Sequence, residues 1–173
     1  MPTILPNWHP ITVHFAIALL IVSTVLTLAA SLGRQQSWAN AAATVARWNL
    51  ALGVLAALAA LATGWNAYNT VTHDDPSHAN ITVHLKWAFA AAGGYLIVAL
   101  LAFFDRRRSA GMNAAVAIVS MISAGLLAVT GWYGGENVYR YGLGVAALPD
   151  QGQHHHDGMV MPKAADHAHG HDD

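Results

Sequence analysis

Residues 11–32 read ITVHFAIALLIVSTVLTLAASL, a run with no Asp, Glu, Lys or Arg. About 20 consecutive apolar residues suffice to cross a bilayer as a helix. Three further runs have that character: Trp48 to Tyr68, Ile81 to Phe104 and Met112 to Trp132. Lipid leaves backbone polar groups no partner outside the segment, so only helices or closed barrels span it. These runs lack the alternation of a strand. The expected fold is an all-α membrane protein, a four-transmembrane-helix bundle over residues 1–148, followed by a tail over 149–173.

Composition supports the same class. The chain is 55% hydrophobic and 10% charged, against about 25% charged in ordinary soluble domains. So few charges cannot cover a globule of this size, and lipid must replace water over much of the surface. The absence of cysteine excludes disulfides, iron–sulfur clusters, thiolate metal sites and covalent c-type haem attachment. A net charge of −1 gives nucleic-acid binding no electrostatic support. Met1 to Pro10 contains no Lys or Arg, so no secretory signal peptide is read there.

Basic residues predict the orientation. Arg34 and Arg47 lie between the first two spans, and Arg106, Arg107 and Arg108 between the last two. The link from Asn66 to Asn80 carries none. The basic links are expected in the cytoplasm, with both termini and the central link outside a bacterial inner membrane.

Two motifs recur. Ile11-Thr12-Val13-His14 returns as Ile81-Thr82-Val83-His84, and Thr63-Gly64-Trp65 returns as Thr130-Gly131-Trp132. Each copy sits at the matching end of its span. The pattern predicts two copies of one helical hairpin, related by a pseudo-two-fold axis along the membrane normal. On that symmetry His14 and His84 should face each other near the outer surface.

Imidazole inside a span is costly unless it faces the bundle interior or a polar cavity. A facing pair could hold the iron of a b-type haem, a bare copper, nickel or zinc ion, or only structural hydrogen bonds. The stripes Gly53-Ala57-Ala60-Gly64 and Ser120-Ala124-Ala128-Gly131 could leave room for a macrocycle, flanked by Trp65 and Trp132. They could equally serve close helix packing and interface anchoring. Arg140 or Lys86 could meet haem propionates, or snorkel to headgroups. Glu136 and Arg140 have the spacing of a helical ion pair.

A metal-handling alternative draws on His9 and His78 beside the pair, and on the tail. Residues 154–173 hold six His, four Asp and two Met without apolar periodicity, a composition that cannot bury enough surface to fold alone. His154, His155, His156, His167, His169 and His171 are candidate ligands of divalent transition metals. The stretch from His73 to His78 reads as a polar turn leading into the third span.

The phrase from His9 to Leu19, with Gly131-Trp132-Tyr133-Gly134-Gly135-Glu136 and Tyr139-Arg140-Tyr141-Gly142, resembles the bacterial membrane family called domain of unknown function 2231. The resemblance spans about residues 5–148. It implies a small four-helix inner-membrane protein, found in some cases with redox partners such as Rieske domains, and implies no particular activity or ligand set. No nucleophile–base constellation, phosphate-binding loop or intramembrane carboxylate pair points to a hydrolase or kinase. The expected function is electron transfer by a bis-histidine haem b, with a redox partner on the periplasmic side. Metal handling and scaffolding of a respiratory complex are the alternatives.

Overall fold

In a computed structural model of the chain, residues 8–106 and 112–145 are described. They form four helices: α1 (His9–Leu32), α2 (Ala39–Thr70), α3 (Asp75–Arg106) and α4 (Ala114–Tyr139). All four are long and apolar enough to cross a membrane. The His-rich tail lies outside the described residues.

The helices start and stop for local reasons. Pro10 occupies the first turn of α1, where its missing N–H costs nothing. The N–H of Gly33 closes that helix on the carbonyl of Ala29, at 2.8 Å. Asn113 caps α4 by accepting from the N–H of Val116 at 3.0 Å. Asp105 in turn accepts from the backbone N–H and the side-chain amide of Asn113, at 3.1 and 2.7 Å. That buried carboxylate fixes the end of α3 to the start of α4.

At the start of α3, Asp74 and Ser77 cap each other. The N–H of Ser77 donates to Asp74 Oδ1, and the N–H of Asp74 donates to Ser77 Oγ, each at 3.0 Å. Hydrogen bonds from the Ser77 hydroxyl, then from its N–H, hold the Asp74 carboxyl below the usual carboxylate range. A depressed folded value means that the cap stabilises above the unfolded carboxylate range and fades as pH falls through the folded value. Asp74→Ala should therefore destabilise at neutral pH, and its gap from wild type should close on acidification. Thermal melts in detergent across the acid range check this.

Helices α2 and α3 have 32 residues each. At 1.5 Å per residue they reach about 48 Å, well beyond a hydrocarbon layer of about 30 Å. The apolar windows in the sequence mark the part in lipid. The Ala-rich stretch before Trp48 and the capped turn before Ile81 carry the same helices further.

The link 71–74 joins α2 and α3 as antiparallel neighbours, as the link 33–38 does α1 and α2. Packing is densest within α1–α2 and within α3–α4, and lighter between those hairpins. Helices α1 and α3 lie diagonally across the bundle and run the same way.

The apolar core gathers toward one end. It includes Leu20, Ala30, Ala43, Ala46, Leu50, Tyr95, Val98, Ala102, Met112 and Val116. Small residues let backbones approach there, as is usual in membrane bundles. Thr24 donates to the carbonyl of Leu20 and so accepts from the hydroxyl of Tyr95, at 2.9 Å, across the diagonal. Tyr95→Phe removes this tie between the hairpins while Thr24 keeps its own-helix partner. It should cost about 1 kcal/mol, measurable by thermal unfolding in detergent.

The tandem motifs do not occupy equivalent places. Thr12 meets Thr63 at 2.9 Å, whereas Thr82 meets the hydroxyl of Tyr68 at 3.3 Å. Gly64 packs against a histidine ring, whereas Gly131 has nothing within 4 Å of where a Cβ would stand.

Candidate functional site

The buried face of α1 runs through Ala16, Leu20, Ser23, Thr24, Thr27 and Ala30. Carried back by helical steps, it passes Thr12 and reaches His9. His14 lies five residues from His9, about 140° around the helix at 100° per residue. Both cannot face inward. His14 is exposed on the outer surface of the bundle, and its Nδ1 hydrogen bonds the Pro10 carbonyl of its own helix. The ring facing His84 is therefore that of His9, not His14. This corrects the expectation drawn from the tandem motifs.

His84 takes the interior place foreseen for it. It continues the buried face of α3 marked by Ala91, Tyr95, Val98 and Ala102. The ring centres of His9 and His84 stand 6.2 Å apart, with planes at 81°. The two rings meet across the diagonal, one from each hairpin.

Both rings are held the same way. Nδ1 of His9 donates to the carbonyl of Ala60 at 3.0 Å, and Nδ1 of His84 to the carbonyl of Thr130 at 3.0 Å. A backbone carbonyl only accepts, so each Nδ1 carries the proton and each Nε2 is a lone-pair base. One turn further along each even helix stands a glycine. A Cβ on Gly64 would come within 2.8 Å of His9 Cε1, and one on Gly134 within 3.2 Å of His84 Cε1. Each imidazole thus lies in a slot that a side chain would close.

More polar groups surround the pair. Thr63 Oγ1 stands 3.4 Å from His9 Nδ1, and Thr12 bonds both Thr63 and the carbonyl of His9. Asn80, one turn before His84, donates to Asn137 Oδ1 at 2.7 Å and to the carbonyl of Tyr133 at 3.3 Å. This polar layer caps the end of the bundle opposite the apolar core.

Other expected site residues lie elsewhere. Trp65 and Trp132 are 55% and 71% exposed and point out of the bundle, so they do not flank the imidazoles. Gly131 is on the exposed side of α4, whose buried face runs through Ser123, Thr130 and Asn137. Arg140 pairs with Glu136 at 3.1 Å on the surface, in the expected i,i+4 spacing. Lys86 is exposed.

His78 does not join His9 and His84. It stacks on His73, with ring centres 5.0 Å apart and Nδ1 2.8 Å from His73 Nε2. His73 donates from Nδ1 to the carbonyl of Val71, which makes its Nε2 the acceptor and His78 Nδ1 the donor. His78 Nε2 then accepts from Tyr68. These bonds tie down the short link between α2 and α3. Among the described residues, no three His, Asp or Glu converge on a metal position. The candidate metal ligands of the tail, His154 to His171, are outside the described residues.

Fold and site define a small polytopic membrane protein with a buffer of polar groups around two interior imidazoles. Residues 6–147 match the model of DUF2231, described as predicted membrane proteins, and the chain belongs to that family. No curated protein and no solved structure matches it.

Proposed function

We propose that the protein carries one b-type haem at this site, with His9 and His84 as axial ligands through Nε2, and that it transfers electrons. One observation carries the reading: two imidazoles, each tied at Nδ1 to a backbone carbonyl, face each other with centres 6.2 Å apart. A metal–nitrogen bond of about 2.0 Å puts each ring centre about 3.2 Å from the metal. Two ligands on opposite sides of one ion then have centres about 6.4 Å apart, whereas a tetrahedral ion would draw them to about 5 Å. The separation matches that of opposed ligands. The Nδ1 bonds supply the outer-shell contact that orients ligating histidines and raises their basicity.

Two further features support the reading. The rings come from different hairpins, between which the helices pack more lightly than within each hairpin. Gly64 and Gly134 allow each ring to recede against its own even helix. A haem with two histidine ligands has no open position, so its chemistry is outer-sphere electron transfer.

A bare copper, nickel or zinc site has less support, because such an ion wants three or four ligands and, among the described residues, no third His, Asp or Glu joins the pair. The positive-inside rule puts Arg34 and Arg47 in the cytoplasm. On that orientation a haem held here would lie in the outer half of a bacterial inner membrane, within reach of a periplasmic redox partner. Absorption spectra of the purified protein and its single histidine variants test the reading.

A further inference from the structure

We propose that His73 and His78, at the link between α2 and α3, form a binding site for one copper(II) ion, with His73 Nε2 and His78 Nδ1 as neighbouring ligands. The inference is independent of the haem reading. It begins from the way the two rings are held.

His73 Nε2 and His78 Nδ1 face each other at 2.8 Å. The far nitrogen of each ring is engaged as well. His73 Nδ1 donates to the carbonyl of Val71 at 2.7 Å, and His78 Nε2 lies 3.3 Å from the Tyr68 hydroxyl. Outer contacts of this kind, on the nitrogen away from the ion, orient ligating histidines. The backbone between the rings is fixed too, because Asp74 and Ser77 cap each other. The separation of the two nitrogens is therefore set before an ion arrives.

That separation has a meaning in coordination geometry. A metal–nitrogen bond of about 2.0 Å puts adjacent ligands of a square-planar ion about 2.8 Å apart, and those of a tetrahedral ion about 3.3 Å apart. The observed spacing is the square-planar one. Copper(II) and nickel(II) take that geometry, and copper heads the order of affinity.

In the metal-free protein a proton on His78 Nδ1 occupies the gap. The ion replaces it through a change of tautomer. Nδ1 gives up its proton, and Nε2 takes one and donates it to the Tyr68 oxygen. The Tyr68 hydroxyl then donates to Thr82 Oγ1, 3.3 Å away. His78 stays neutral throughout, and as an exposed side chain it has room to turn its lone pair onto the ion.

Among the described residues no third His, Asp or Glu joins the two. Water fills the remaining positions at this exposed link, a recourse that a site between packed helices does not share. The His-rich tail starts from the same end of the bundle. Asn80, near the start of α3, bonds Asn137, near the end of α4, and the chain runs on from there to the six histidines of residues 154–173. Site and tail thus belong to one side of the membrane.

The tail's composition binds transition metals by itself, so the test uses the full-length protein with its six tail histidines changed to alanine. Titrated with copper(II) in nanodiscs, it should bind one ion, and pulsed EPR should count two equatorial imidazoles. His73→Ala and His78→Ala in that background should each weaken binding at least tenfold and leave one imidazole. Tyr68→Phe keeps both ligands and should weaken binding by about tenfold, the scale of a lost outer-shell contact. His14→Ala should change nothing. Failure to bind copper, or two imidazoles retained in both His73→Ala and His78→Ala, would overturn the site. Tighter binding of zinc than of copper would overturn the square-planar assignment. A colourless protein that still bound copper here would sink the haem reading and leave this site standing.

Discussion

His9→Ala and His84→Ala should each abolish the low-spin haem spectrum, and His14→Ala should leave it intact. The wild type should show sharp α and β bands on reduction. On the proposed ligand set each interior variant removes one of two axial ligands, and among the described residues no third His, Asp or Glu stands beside it to take its place. Thr12 and Thr63 already bond to each other, and Asn80 is committed to Asn137. A five-coordinate or lost haem is the expected result, read as a shifted or missing Soret band. His9→Met and His84→Met test ligation apart from folding, since thioether still coordinates iron and raises the potential. A His14→Ala protein that lost the haem while His9→Ala kept it would sink the assignment. So would a wild type that purified colourless from haem-replete cells.

Gly64→Ala should be damaging, whereas Gly131→Ala, the same change in the matching motif, should be silent. The new Cβ at Gly64 would stand 2.8 Å from His9 Cε1 and 3.1 Å from Nδ1. The ring sits at the start of α1 between two helices and cannot yield without losing its 3.0 Å bond to Ala60. Overpacking of this kind costs about 1–3 kcal/mol, and on the proposed ligand set the displaced ring would disturb a haem spectrum as well. At Gly131 nothing lies within 4 Å. Alanine there gains helix propensity, worth up to about 1 kcal/mol in water and less in lipid. Thermal unfolding in detergent separates the two, and equal losses at both positions would contradict the slot at Gly64.

Four spans and their helical nature were legible because lipid imposes a strong rule on length and charge. His84 was legible too, as an imidazole in a run of apolar residues. The identity of its partner was legible only in a pattern that motif matching obscures. The recurrence of Ile-Thr-Val-His drew attention to His14. The stripe from His9 through Thr12, Ala16, Leu20, Ser23, Thr27 and Ala30 instead marks the inward face, because Ser and Thr gather where lipid does not reach. Helical phase outranks sequence identity here: five residues rotate a side chain by about 140°.

The glycine slots were half visible. Gly64 stood out, but its counterpart at the site is Gly134, three residues past the motif's own glycine. Nothing local to the sequence fixes that offset, because it depends on how far α3 slides along α4. The exposure of Trp65 and Trp132 was the ordinary interfacial alternative, and lipid anchoring explains both.

The two imidazoles belong to opposite hairpins, and that bears on biogenesis. On the proposed ligand set, neither half of the chain can complete an iron site alone. A ribosome that has released only α1 and α2 into the bilayer offers one axial nitrogen, and haem bound there would leave as readily as it came. Cofactor capture becomes a checkpoint on the arrival of α4, whose Thr130 carbonyl orients the second ring. Once captured, the macrocycle would act as a rivet through the seam where the hairpins hold each other least. Haem-starved cells would then be expected to clear this protein by proteolysis from the membrane, starting at that seam.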